Sequence, residues 1–165
     1  MAHIVISGPT MCGKTTLAAQ LARGYLARKI HVLVCDPFMG QWPATWQTTD
    51  RAAFLTAAKE SRRCALFIDE AGQTISRDPD AEWLFTVARH WGHLTHVMAQ
   101  GATQLLPLMR AQCAHLFLFG CAPRDAELWA SEFNDPELLQ AVNLPRFAFI
   151  QKTRFQPARV CRLAL

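Results

Sequence analysis

Residues 8–15, GPTMCGKT, constrain this chain more than any other stretch. They match G-x-x-x-x-G-K-[ST], the phosphate-binding P-loop pattern. Gly8 and Gly13 let the backbone turn with no Cβ in the way, so successive N–H groups can converge on phosphate oxygens. Lys14 has the reach for β- and γ-phosphates, and the Thr15 hydroxyl suits a Mg²⁺ ion. The expected cradle is Gly8, Pro9, Thr10, Met11, Cys12, Gly13, Lys14, Thr15 and Thr16, at a helix N-terminus. The motif requires a strand before it and a helix after it. Residues 3–7 (HIVIS) are a short apolar, β-branched run, and residues 15–28 carry Leu17, Leu21, Tyr25 and Leu26 at helical spacing.

The 165 residues are enough for one domain with a core, and 18% charged residues with 51% hydrophobic ones exclude a disordered chain. Residues 1–165 are therefore read as a single P-loop domain. The net charge of +4 permits an anionic partner without requiring one. Six scattered cysteines with no C-x-x-C imply a reducing, cytoplasmic compartment. The chain enters its first strand at once, which predicts no signal peptide, and no apolar run is long enough to span a membrane.

Apolar strand-like runs alternate with helical patterns. Strands are expected at 3–7, 30–36, 64–69, 95–100 and 115–120. Helices are expected at 14–29, 51–61 (with Asp50 as N-cap), 80–91, 104–112 and 124–133, with a short one at 136–142. Residues 37–49 and 72–80 read as loops. Residues 146–152 and 159–165 predict a C-terminal β-hairpin extension. The pattern is that of an α/β fold, a mostly parallel sheet with helices on both faces.

Asp69 and Glu70 close the third apolar run. An Asp there suits a cation held through water, and the adjacent Glu suits a group that accepts a proton from attacking water. The pair would equally cap the next segment. Between Trp83 and Pro123 the only formally charged residues are Arg89 and Arg110. Each needs a phosphate, a carboxylate or solvent, so each is a candidate arginine finger or a structural arginine. Gln100 ends the fourth strand, where strand ends face the ligand crevice; its amide could orient the attacking water. The last twenty residues hold Arg146, Lys152, Arg154, Arg159 and Arg162 with no acid. That composition suits contacts to nucleic-acid phosphates, with Arg154 and Arg159 as candidates and Arg77 a third in the 72–80 loop. His90, His93 and His96 are spaced three apart, but Gly92 breaks the one-faced geometry a metal needs. Trp42 and Trp46 suit stacking or packing equally.

Together GPTMCGKT, LFIDEAG (66–72) and ARHWGHLTHVMAQ (88–100) resemble the FtsK–HerA superfamily of P-loop ATPases, over residues 3–133. That group includes DNA pumps, viral genome-packaging ATPases and zonula occludens toxin-like proteins of filamentous phages. The Arg89–Gly92–Gln100 series carries the resemblance to this branch. It implies a RecA/ASCE-like P-loop fold and a homo-oligomeric, hexameric ring that hydrolyses ATP with Mg²⁺ and moves DNA. It also implies Gln100 as a polar sensor, an arginine finger, and capsid or other virion proteins as partners in the host cytoplasm. The short chain fits a compact packaging ATPase better than a membrane translocase. Two alternatives stand beside it. One is a nucleoside or nucleotide kinase, with Asp36 at the end of strand two as its base. The other is an ATP-binding assembly scaffold without turnover.

Overall fold

The computed structural model describes residues 2–76 and 78–165. The first apolar run forms β1 (His3–Ser7), and the P-loop turns it into α1 (Lys14–Ala27). Then follow β2 (Val32–Cys35), β3 (Trp46–Thr48), α2 (Arg51–Glu60), β4 (Ala65–Ile68) and α3 (Ala71–Thr74). The second half holds α4 (Trp83–Thr86), β5 (Leu94–Ala99), α5 (Pro107–Gln112), β6 (Cys113–Phe119), α6 (Pro123–Phe133), β7 (Ala148–Thr153) and β8 (Arg159–Arg162). They build one eight-stranded sheet in the order β3-β2-β4-β5-β1-β6-β7-β8. The six strands from β3 to β6 are parallel, and β7 and β8 extend the sheet antiparallel. The expected mostly parallel α/β fold with a C-terminal hairpin is what forms.

Side chains alternate across the strands and build two cores. Val5, Leu33, Leu66, Val97 and Leu116 face one side, under α2, α5 and α6. Ile6, Val34, Phe67 and Met98 face the other, against Leu17, Ala18 and Ala22 of α1. Among the described residues no helix is long and apolar enough to cross a membrane.

Four segments differ from expectation. Strand β3 lies within the segment read as a loop. Thr45 fixes it, donating its N–H to Val32 O (2.9 Å) and accepting from Val32 N at its hydroxyl (3.0 Å). The expected helix at 80–91 is broken into the 3₁₀ turn Pro79–Ala81, α4 and the 3₁₀ turn Ala88–Trp91. The Thr86 hydroxyl back-bonds Glu82 O at 3.2 Å, and β-branched Val87 follows. The expected helix at 104–112 starts only at Pro107, which holds Leu106 extended. The loop at 72–80 opens with the short helix α3, which starts at Ala71. Asp50 caps α2 as expected, accepting from Ala52 N at 2.9 Å.

Candidate active site

Parallel strands bring their C-terminal ends to one edge of the sheet, and that edge holds the P-loop, Asp36, Asp69 and Gln100. Gly13 sits at φ 113, in a region a side chain resists, and a Cβ there would come within 2.9 Å of Leu163 Cδ2. A Cβ on Gly8 would lie 2.7 Å from Phe119 Cβ, so the loop needs both glycines. Buried Lys14 donates to Gly8 O (2.7 Å) and Pro9 O (2.9 Å), which ties its ammonium to the inside of the loop. Met11 is also left-handed, at φ 65. The N–H groups of residues 11–16 find no backbone acceptor among the described residues. They line a cavity of about 260 Å³ over Gly13, Lys14, Thr15 and Thr16. Unpaired N–H groups at a helix N-terminus with a lysine beside them fit a phosphate chain. Cys12 faces inward, and burial raises its thiol pKa.

The acidic pair lies two strands away. Strand β5 stands between β1 and β4, so Gln100 projects between the P-loop and Asp69–Glu70. The Gln100 amide donates to Glu70 Oε2 at 3.2 Å. Glu70 occupies a left-handed conformation, φ 47 and ψ 57, at the N-terminus of α3. Its N–H donates to Asp69 Oδ1 at 2.8 Å, and its carbonyl and that of Asp69 both accept from the Thr74 hydroxyl. Burial raises the Asp69 pKa, as do the nearby Asp36 and Glu70 carboxylates; the Glu70 N–H and Lys14 oppose them. A carboxylate with too little countercharge suits a cation. Among the described residues no cluster of three or more His, Cys, Asp or Glu side chains could hold one. That matches Mg²⁺, which usually takes one or two protein carboxylates together with phosphate oxygens and water.

The arginines separate. Arg89 is exposed on the turn before β5, at the opposite edge of the sheet from the P-loop. Six-residue β5 keeps it roughly 20 Å from its own phosphate site. Arg110 turns inward, donating to Leu105 O (2.6 Å) and Ala102 O (3.0 Å), with its Nε 3.6 Å from Glu132 Oε2. It braces α5 against α6, the structural role among those its sequence context allowed. Arg154, a candidate DNA contact, is bound up in the same way. It donates to Glu132 O (2.8 Å) and Cys113 O (2.9 Å), pairs with Glu132 (3.2 Å) and stacks on Phe133. Arg159 is exposed on edge strand β8, and Arg77 lies outside the described residues.

Other candidates are engaged elsewhere. Asp36 accepts from Phe38 N, Gly40 N and the Trp42 indole at 2.8–2.9 Å, holding its own loop. His93 lies between Cys64 N and Ala58 O, and His96 stacks on Phe67 beside the Tyr25 hydroxyl. Three residues at the site were not singled out from sequence. Gln104 accepts from Gln100 N at 2.7 Å and packs its chain on Gly72; its i+4 spacing from Gln100 was the available signal. Arg146 donates from Nε to Met11 O at 3.1 Å, and its guanidinium lies 4.5 Å from the Phe147 ring. Arg146 had been counted only as part of a basic tail, and Phe147 carried no signal.

The model of the ATPase family associated with various cellular activities (AAA) matches residues 4–127. The chain belongs to this family. The ATPase is also similar in structure to the genome-packaging NTPase B204 of Sulfolobus turreted icosahedral virus 2, solved with AMPPCP. The TM-score is 0.81 at 18% identity, covering 99% of this chain and 98% of that one. The pCW3 conjugation coupling protein TcpA gives a TM-score of 0.72 at 13% identity, covering 98% of this chain and 59% of that one. The cytoplasmic domain of the type VII secretion ATPase EccC from Thermomonospora curvata gives 0.71 at 11%, covering 99% of this chain and 24% of that one. At these identities the likeness is one of fold, and these folds are P-loop ATPases of the FtsK–HerA type that the motifs resemble. No curated protein sequence matches the ATPase.

Proposed function

We propose that the ATPase is a DNA-translocating motor of the genome-packaging type, working as a ring. The observation that carries the chemistry is the Glu70–Gln100 pair, held beside the P-loop by the strand order β4-β5-β1. In this reading the P-loop amides and Lys14 hold the triphosphate, and Lys14 exchanges a loop carbonyl for a phosphate oxygen. Thr15 and Asp69 would hold Mg²⁺, which neutralises phosphate charge when bound. Glu70 accepts the proton of the attacking water, and Gln100, its backbone fixed by Gln104, positions carboxylate and water together. The kinase alternative loses its base, because the Asp36 carboxylate already accepts three hydrogen bonds.

The motor half of the reading draws on fold and on Arg89. B204 packages a viral genome by its name and TcpA is a conjugation coupling protein; we extend DNA handling from them to this chain. Arg89 faces away from its own site, so as a finger it serves a neighbour's γ-phosphate, which makes the ring part of the active site. Exposed Arg159 remains a DNA contact in this reading, with Arg77 beside it. The test is subunit mixing. Arg89→Ala and Lys14→Ala proteins, each inactive alone, should regain a fraction of ATP turnover when mixed, because some interfaces then join an intact P-loop to an intact Arg89. No recovery at any ratio, or full activity of Arg89→Ala alone, would remove the arginine supplied in trans.

A further inference from the structure

Two cavities adjoin at the P-loop. The smaller lies over the phosphate cradle. The larger, about 600 Å³, opens beside Pro9 and Thr10 and is walled by Phe119, Cys121, Val142 and Leu144. Both are lined by Met11, Arg146 and Phe147. A volume of that order is typical of small-molecule sites.

The shared partition is built from the far end of the chain. Phe147 is held at φ 68, a conformation that a bulky side chain avoids. That backbone sets its ring against the P-loop, where a Cβ on Gly13 would meet Phe147 Cδ1 at 3.2 Å. Arg146 lies over the ring at 4.5 Å and is anchored to the loop through Met11 O. Its outer face is exposed. A flat guanidinium backed by an aromatic ring is a stacking surface for a planar π system. Thr10 is the other polar side chain besides Arg146 and the weakly polar cysteines on the larger cavity, and its walls carry no amide or carboxylate that could read a base edge.

We propose that the larger cavity is the nucleoside half of the site, with the Arg146–Phe147 pair as its stacking face, and that it takes purine bases with little discrimination. The proposal rests on the reading that the P-loop binds the triphosphate. Stacking is indifferent to the pattern of base donors and acceptors, so adenine and guanine fit equally.

Calorimetric titration with MgATP, MgGTP and magnesium tripolyphosphate tests it. The wild type should bind MgATP at least tenfold more tightly than tripolyphosphate, and MgATP and MgGTP within about threefold, the range expected from stacking alone. Phe147→Gly removes the ring while keeping a backbone that tolerates positive φ. It should weaken MgATP about tenfold and leave tripolyphosphate within twofold. Val142→Trp, at a position 41% exposed on the opposite wall, should do the same by filling the cavity. It supports the proposal independently if the glycine variant does not fold. Equal wild-type affinity for ATP and tripolyphosphate would overturn the nucleoside site and leave the phosphate site standing. Binding of neither would remove both. A tenfold preference for one purine would overturn the tolerance.

Discussion

Glu70 concentrates the chemistry of the site at a single residue. Its left-handed backbone is unusual for a glutamate and costs of the order of 1 kcal/mol or more. The Thr74 hydroxyl and the Asp69 carboxylate hold it there, and Gln100 takes the carboxylate end. Such a residue is placed by its neighbours, so a neutral isostere should keep the geometry and lose the proton acceptor. Glu70→Gln should lower ATP turnover by about 10²–10⁴-fold, with ATP affinity within a few-fold by calorimetry; unchanged turnover would favour the scaffold. At this scale the sequence was most readable. GPTMCGKT, Asp69–Glu70 and Gln100 are local patterns whose roles follow from strand ends meeting at one sheet edge. Gln104, Arg146 and Phe147 were not readable, because their roles depend on side-chain contacts. The Arg146 contact with Met11 joins residues 135 apart in the chain.

The C-terminal hairpin works at the scale of an element. Strand β7 pairs with β6, and β8 forms the sheet edge with Arg159 and Val160 exposed on it. Its basic composition suggested one surface for DNA, but the arginines divide by partner. Arg154 reaches under β6 to Glu132 and three backbone carbonyls. Arg154→Ala should therefore destabilise the fold by about 2 kcal/mol or more, measured by urea unfolding. Arg159→Ala should leave stability within about 0.5 kcal/mol and reduce the salt slope of DNA binding by about one. The reverse assignment of the two effects would contradict this division. Composition cannot separate the two arginines, because only packing shows which guanidinium has met a carboxylate. The helices at 80–91 and 104–112 were misplaced for a related reason: periodicity was present, but Thr86 and Pro107 end the local hydrogen-bond ladder.

Across the whole molecule, the sheet has two chemically different edges. One carries the P-loop, Glu70 and Gln100, and the other carries Arg89. The fold class was legible from strand–helix alternation, but the strand order, and with it this separation, came only from the structure. The core also carries a pH limit. His3 and His96 are buried, and burial lowers each pKa from 6.5 to about 4. The unfolded chain then binds more protons between those values, so stability is full above pH 6.5 and is lost as pH falls toward 4. Between pH 7 and 5 each histidine should cost about 2 kcal/mol of unfolding free energy; a flat profile would mean the imidazoles are not buried neutral. The central claim, a ring motor in which one subunit completes the next, is tested most directly by steady-state ATPase rate against protein concentration, with and without double-stranded DNA, at low and high salt. The account predicts a rate per subunit that rises with concentration and with DNA, and a DNA response that fades at high salt. A rate per subunit that is constant and indifferent to DNA would contradict it.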